Sequence, residues 1–260
     1  ILVIGNMIGT GIFTTSGFII TEVGSPQAML LCWLVGGLFA LCGALCYGEL
    51  GALFPSAGGE YVFLRESFGK GIGFISGFIS LIVGFSAPIA AAAIAFAVYL
   101  FRAFSVHVGP GIALLIGDFQ VITLSPCALV AIAVIMALSL VHYHSILMGA
   151  RIQDILTLFK LGIIAVFVAA GFLRGDGSTD HFSGSLELRS VFQRGFAVSL
   201  IFVSFAYSGW NAAAYLGGEI KNPERNIPLS LFAGTFIVIC LYLLLNAVYI
   251  YALPPKQMGG

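Results

Sequence analysis

Seven apolar segments of about 20 residues each constrain the fold of this chain more than any other feature. The hydrocarbon core of a bilayer is crossed by roughly 20 residues of α-helix, so segments of this length predict membrane-spanning helices. Composition agrees, because 60% of the residues are hydrophobic and 8% are charged, too few charges for the exterior of a water-soluble domain. The predicted spans cover residues 1–20, 28–54, 71–101, 126–145, 154–173, 193–217 and 229–252.

Turn-forming and charged residues lie between these spans and predict the connections. The stretch PSAGGEYVFLRESFGKG at 55–71 is long enough for an amphipathic helix at the membrane surface, and 102–125 and 174–190 predict loops. Before the last span, Asn226 is the predicted helix cap and Pro228 suits the first helical turn. Lys and Arg are balanced between the two sides, so they leave the orientation open. The net charge is zero, and no nucleic-acid partner is expected.

Two of the predicted spans carry polar, glycine-containing interruptions near their middle. The first reads GNMIGTG at 5–11 and the second FAYSGWN at 205–211. Glycine destabilises a helix interior by about 1 kcal/mol relative to alanine, and backbone groups freed within a membrane need other partners. Paired interruptions in corresponding positions indicate the midplane binding site of a transporter. They predict one permease domain with an inverted repeat, residues 1–173 forming its first half and 193–252 the start of its second.

The chemistry of such a break suggests a ligand. A helix that restarts after a break presents free N–H groups and the positive end of its dipole, which suits a carboxylate. Carbonyl oxygens on the other side suit an ammonium group, and the two together describe an α-amino acid. Close helix packing is the alternative, because Gly5 and Gly9 form a small-xxx-small pattern. Gly77, Gly84 and Pro88 make the third span a weaker candidate for a break.

Four motifs, in order along the chain, resemble those of the amino acid–polyamine–organocation superfamily. They are IGTGIF at 8–13, YGELGALFPSAGGEYVFLRESFG at 47–69, RIQDILTLFKLG at 151–162 and FAYSGWNAAAYLGGEIKNPERNIPLSL at 205–231. The motif FAYSGWN is most similar to L-type amino acid transporters and their bacterial relatives. The resemblance implies an all-α, LeuT-type polytopic membrane fold of twelve helices. This chain is expected to be a piece of a longer protein that holds the first seven, the first of them starting in the cytoplasm.

The resemblance also implies a function and a site. The protein is expected to be a secondary active amino acid permease or antiporter of the plasma or bacterial inner membrane, working by alternating access. Amides of residues 9–11 are expected to hold the substrate carboxylate, and backbone carbonyls of Met7, Phe205 and Ser208 its ammonium group. The Phe205 ring is the expected extracellular gate. The expected substrate-binding residues are Met7, Gly9, Thr10, Gly11, Phe205, Ser208, Trp210 and Asn211.

Lys160 is a charged residue inside a predicted span. It lies six residues after Asp154, near the predicted start of the span, which is about 9 Å along a helix. A cation inside the membrane is a functional candidate, while a side chain that snorkels to the interface is the alternative. The resemblance implies that the Lys160 ammonium takes the place of a sodium ion bound by sodium-coupled relatives and braces the first helix against the fifth. Proton coupling through Lys160 is a further hypothesis.

Partners are predicted partly from what stands near the breaks. No charged residue lies beside either break, so neutral amino acids are the expected substrates. In L-type transporters a cysteine in the loop after the third helix joins a heavy subunit; 102–125 contains none and Cys127 begins the next span, so no such disulfide partner is expected. Ser208 stands where L-type relatives often have glycine, which leaves substrate size open. No spacing of Cys, His or carboxylates indicates a metal site, and we expect no metal and no cofactor.

Several other classes of protein are alternatives to an amino acid carrier. A carrier for polyamines or other organic amines of the same superfamily is one. A retinal protein would need a lysine deep in the seventh span for its Schiff base, and 229–252 has none; nothing in the sequence resembles the signalling motifs of a receptor either. A membrane enzyme would need a nucleophile–base pair or a metal motif, and a channel would need rings of like groups. The sequence shows neither, so we predict a carrier and no enzyme.

Overall fold

Eleven α-helices and one β-hairpin make up the part of the chain that the structure describes. The computed structural model describes residues 1–109, 111–116, 119–175, 177–183 and 193–258. The helices are α1 Leu2–Met7, α2 Gly11–Val23, α3 Pro26–Leu53, α4 Glu60–Phe68, α5 Lys70–Ile79, α6 Ala87–Ala103, α7 Pro126–His144, α8 Ile146–Arg174, α9 Arg194–Ala206, α10 Pro223–Ala252 and α11 Pro255–Met258. The strands β1 Ile112–Ile116 and β2 Phe119–Leu124 pair antiparallel, and 3-10 turns cover Thr179–Phe182, Ala212–Tyr215 and Gly217–Glu219.

Apolar helices of membrane-spanning length confirm the expected all-α, polytopic membrane fold. Among the described residues, five qualify by length and composition: Pro26–Leu53, Lys70–Ala103, Pro126–His144, Ile146–Arg174 and Pro223–Ala252. The shorter apolar helices α2 and α9 belong to the two spans with predicted interruptions. The stretch 55–71 contains α4, as predicted. The hairpin lies within 102–125, where we predicted a loop, and part of the predicted loop 174–190 lies outside the described residues.

The start of α10 differs from the prediction. We expected Asn226 to cap the helix, but Asn222 is the cap and Pro223 occupies the first turn. Asn222 has a φ of 48°, a left-handed conformation that asparagine tolerates better than most residues. The dipeptide Asn222–Pro223 is therefore the true start signal, and Pro228 lies inside the helix. The predicted cap was wrong because a second Asn and Pro follow within one and a half turns.

The third span stays helical throughout. Residues Ser80–Ser86 form a π-helix that joins α5 to α6. The Ser86 hydroxyl donates a hydrogen bond to the Leu81 carbonyl at 2.6 Å. The weaker break that we considered around Gly84 is therefore a wider helical turn and leaves no gap in the span.

The chain divides into two compact units. One contains residues 1–63 and 153–260, and the other contains 64–152. Within the second unit, α6 packs against α7. Within the first, α3 packs along α10, and α9 packs against α2 and α3. Both predicted breaks lie in this first unit.

An aromatic cluster at the core of the first unit fixes the end of α9. Trp33, Tyr207 and Tyr242 are fully buried, with ring centroids 5.0 to 5.7 Å apart. A Cβ on Gly37 would lie 2.9 Å from the Ile239 side chain and 3.0 Å from the Tyr207 hydroxyl. Only glycine at this position therefore lets α3 approach α10 and Tyr207 this closely. Edge-to-face aromatic pairs add about 0.5–1.5 kcal/mol each beyond the area that they bury. The cluster holds Tyr207, the first residue after α9, against α3 and α10.

Candidate functional site

The first predicted break is present and leaves backbone amides without helical partners. Helix α1 ends at Met7 and α2 begins at Gly11. Ile8 leaves the helical path with φ −76° and ψ 93°. Among the described residues, no backbone carbonyl pairs with the amides of Gly9 and Thr10, both residues are exposed, and the Gly9 amide interacts with the Tyr242 hydroxyl. Together with the unpaired first N–H of α2, they place three successive donors at a helix N-terminus.

The three glycines of this break have different surroundings. A Cβ on Gly5 would collide with the Thr157 hydroxyl of α8, and a Cβ on Gly11 would lie 3.1 Å from both Cα and Cβ of Ala206 in α9. A Cβ on Gly9 would meet no described atom within 4 Å. Gly5 and Gly11 therefore permit the close helix packing that we considered as the alternative interpretation. Gly9 instead borders open space.

Lys160 connects α8 to the first break. Its Nζ donates hydrogen bonds to the Gly5 carbonyl at 3.1 Å and to the Ile8 carbonyl at 2.6 Å. Helix α8 begins at Ile146, earlier than the predicted start at residue 154. Lys160 thus lies 14 residues after the first residue of the helix, about 21 Å along its axis, and the predicted start of this helix was wrong. Its half-buried ammonium satisfies carbonyls that the break leaves without helical partners.

The second break begins where α9 ends, at Ala206. Residues 207–211 form turns, and the 3-10 turn Ala212–Tyr215 follows. The predicted span 193–217 is therefore α-helical only in its first part. Gly209 adopts a φ of 100°, which favours glycine. The Asn6 side chain donates a hydrogen bond to the Gly209 carbonyl at 3.2 Å, so the two breaks are in direct contact.

Tyr242 of α10 bonds to both breaks. Its hydroxyl lies 2.8 Å from the Met7 carbonyl and 3.2 Å from the Ala206 carbonyl, and its single proton is shared between these acceptors. The Asn246 side chain donates to the Tyr242 carbonyl at 2.7 Å and accepts from the Ser16 hydroxyl at 2.7 Å. Sequence reasoning missed these residues. The available signal was a buried polar pair four residues apart in an otherwise apolar span.

The predicted ammonium-binding residues lie at the ends of the two helices. Met7 is buried, and its carbonyl already accepts from Tyr242. The Phe205 carbonyl accepts from the Ser208 amide at 3.1 Å, while the Phe205 side chain is 74% exposed. No described donor bonds to the Ser208 carbonyl. Among the described residues, the carbonyls of Met7 and Phe205 thus each accept a hydrogen bond, and the Ser208 carbonyl accepts none.

Trp210 and Asn211 contact α3 and α4. The Trp210 ring packs edge-to-face against the Tyr47 ring, with centroids 4.9 Å apart. The Asn211 amide donates to Glu60 Oε1 at 2.7 Å, and the Tyr215 hydroxyl donates to the other oxygen of this carboxylate. These side chains anchor the segment after the second break. Within the described residues, no cluster of His, Cys, Asp and Glu has the composition of a metal site.

The fold and the site define a class. The described chain contains helices of membrane-spanning length, and within the first unit two interrupted helices meet at their breaks, an arrangement typical of secondary transporters. The profile of the family described as "Amino acid permease" matches residues 1–260. The chain belongs to this family, within the amino acid–polyamine–organocation superfamily, and is a membrane protein of a transporter family and not an enzyme.

Curated relatives agree with the family. The chain is 31% identical to the human b(0,+)-type amino acid transporter 1, covering 99% of this chain and 50% of the relative. It is 30% identical to the serine/threonine exchanger SteT of Bacillus subtilis, covering 99% and 54%. It is 28% identical to the human large neutral amino acids transporter small subunit 2, covering 99% and 46%. The chain therefore spans about half the length of these relatives.

Proposed function

We propose that the protein containing this chain carries amino acids across a membrane by alternating access and binds its substrate where the two breaks meet. The observation that carries this proposal is the meeting itself. Gly9 borders open space, the amide of the exposed Thr10 has no backbone partner, and Asn6 joins this break to Gly209 of the other. The names of the relatives, all amino acid transporters or exchangers, support the substrate class.

The carboxylate of the substrate would bind the amides of residues 9–11. They stand at the N-terminus of the 13-residue helix α2, where the helix dipole favours a negative charge. A polyamine offers no carboxylate, and binding one would leave these donors unpaired. The exposed amides therefore favour an amino acid over the organic-amine carrier that we consider as the second candidate.

The ammonium group would bind carbonyls of Met7, Phe205 and Ser208. A carbonyl oxygen has two lone pairs, so the single hydrogen bond that Met7 accepts from Tyr242 leaves one free and fixes the direction of the group. The exposed Phe205 ring would cover the substrate as the extracellular gate. Trp210 and Asn211 would shape the pocket through the position of the turn that carries them.

Lys160 would replace a bound cation. Its ammonium holds the Gly5 and Ile8 carbonyls, which is the electrostatic task that a sodium ion would perform there. We therefore propose that transport needs no sodium gradient. We also propose neutral substrates, because the charged groups of Lys160 and Glu60 at the breaks already bond to groups of the chain itself. We further propose a light chain without a disulfide-linked heavy subunit and an inverted repeat with residues 1–173 as its first half.

The test is uptake by the full-length protein in proteoliposomes, with radiolabelled L-serine, L-leucine and putrescine as probes. Thr10 has a φ of −70°, which proline shares, so Thr10→Pro removes one amide donor in a compatible conformation. Saturable amino acid uptake that Thr10→Pro weakens at least tenfold supports the proposal. Thr10→Ala keeps the amide and is the control. Wild-type affinity in the proline variant, or preferential uptake of putrescine, would contradict the proposed site.

A further inference from the structure

Glu60, the first residue of α4, receives hydrogen bonds from the segment that follows the second break. Asn211 Nδ2 lies 2.7 Å from Oε1, and the Tyr215 hydroxyl donates to Oε2. The Tyr47 hydroxyl of α3 interacts with the same carboxylate. A carboxylate accepts hydrogen bonds at both oxygens, so one side chain satisfies donors from two different elements.

The loop before α4 lies against the same segment through its backbone. The Gly58 amide donates to the Tyr215 carbonyl at 3.1 Å, and Ala57 forms an isolated antiparallel bridge with Leu216. A Cβ on Gly59 would lie 2.8 Å from the Tyr215 ring, so glycine is needed for this approach. Residues 57–60 therefore contact the chain at both ends of the 3-10 turn, at Asn211 before it and at Tyr215 and Leu216 at its end.

Residues 207–211 depend on such contacts for their conformation. They lack the continuous hydrogen bonds of an α-helix, so side chains must hold them. Asn6 binds the Gly209 carbonyl on one side, and Glu60 binds Asn211 on the other. Ser208, whose carbonyl has no described donor, lies in the stretch that these two contacts hold.

We propose that Glu60 is a positioning residue for the substrate site: through Asn211 and Tyr215 it fixes the turn that directs the Ser208 carbonyl at the substrate ammonium. This inference rests on the proposed amino acid function. Hydrogen bonds to a carboxylate are shorter and stronger than neutral ones, which suits a contact that must hold an unwound segment. In Glu60→Gln the side chain keeps its shape, but its NH2 group faces one of the two donors.

The first experiment needs no substrate. Cysteines replace Ala57 and Leu216 in the full-length protein, with the native cysteines changed to alanine. Opposite residues of an antiparallel pair have Cα atoms about 4.5–5.5 Å apart, within the range of a disulfide. We expect Glu60→Gln to slow oxidant-induced cross-linking at least fivefold. Glu66 lies on the same helix and pairs with Arg65 at 2.7 Å, so Glu66→Gln is the matched control and should leave the rate unchanged.

The second experiment measures L-serine uptake in proteoliposomes. Glu60→Gln should raise KM about tenfold, the effect of one lost charge-assisted hydrogen bond, with Vmax changed less than twofold. Glu60→Asp keeps the charge and should recover part of the affinity. Asn211→Ala should raise KM similarly, and the double variant should add little, because the two residues act as one unit.

Each outcome decides a different claim. An unchanged cross-linking rate in Glu60→Gln, or an unchanged KM, overturns the positioning role. A fall in Vmax and protein yield at constant KM also overturns it, since that is the signature of a general structural defect. If the wild type takes up no amino acid, the proposed function fails, while cross-linking still shows whether Glu60 holds the segment.

Discussion

Replacing Lys160 with methionine removes the ammonium group and keeps an apolar stem of similar length. The variant leaves the Gly5 and Ile8 carbonyls without the donors that lie 3.1 and 2.6 Å away. Both carbonyls belong to the break, where the α-helix provides no replacement. The perturbation therefore acts on the geometry of the break and spares the apolar contacts of α8.

The size of the effect follows from these two contacts. A hydrogen bond from a charged donor contributes about 1.5–3 kcal/mol. Two such bonds would contribute about 3–6 kcal/mol if fully buried. Lys160 is half-buried, so water replaces about half of the loss, and we expect about 2–3 kcal/mol for the pair. That is roughly a 30- to 150-fold shift in an equilibrium. Because substrate binds only the ordered break, the apparent affinity falls by up to the same factor.

The assay is the concentration dependence of amino acid uptake by the full-length protein. Lys160→Met should raise KM by that factor, and Lys160→Arg, which keeps the charge, should raise it less. Lys70 is exposed at the start of α5, so Lys70→Met is the control for loss of a positive charge. Wild-type KM and Vmax in Lys160→Met would refute the bracing role, and a strict sodium requirement in the wild type would refute the cation-replacement argument.

Three further predictions concern the breaks. Gly9→Ala should fold normally and Gly9→Val should abolish uptake, because Gly9 borders open space; equal uptake by both would contradict the site. Gly11→Ala should lower the melting temperature of the protein, since its Cβ would lie 3.1 Å from the Ala206 backbone. An unchanged melting temperature would contradict this prediction and would mean that α9 shifts to make room for the methyl group. Tyr242→Phe removes one hydroxyl from two carbonyls and should raise KM about tenfold, whereas Tyr143→Phe, at an exposed position, should have no effect.

Segment length and glycine placement made much of the fold predictable. A continuous apolar run must cross the bilayer as a helix, so α3 and α7 agree with their predicted bounds to within two residues. The breaks were predictable because glycine and asparagine are unfavourable within a helix. The start of α8 was missed because the prediction placed it at the start of the apolar run. The helix begins eight residues earlier and includes the polar residues Arg151 and Asp154.

Contacts distant in sequence were the part that could not be predicted. Tyr242 is separated from Met7 by 235 residues and Asn211 from Glu60 by 151, and no local pattern fixes such pairs. The residue type predicted only that each of these side chains has a hydrogen-bond partner, since a polar side chain within the membrane needs one. The identity of that partner depends on how the helices pack.

The packing and binding interpretations of the first glycine motif are compatible, because packing depends on the missing side chains of Gly5 and Gly11, whereas the proposed binding uses the backbone amides of residues 9–11. Gly5 and Gly11 bring α8 and α9 against the break, and this close approach puts the Lys160 ammonium and the second break within reach of it. If Gly5 were larger, α8 would move away and its lysine with it. The packing glycines therefore create the polar environment in which Gly9 borders open space, and a variant at Gly5 should impair substrate binding although Gly5 lies outside the proposed binding residues.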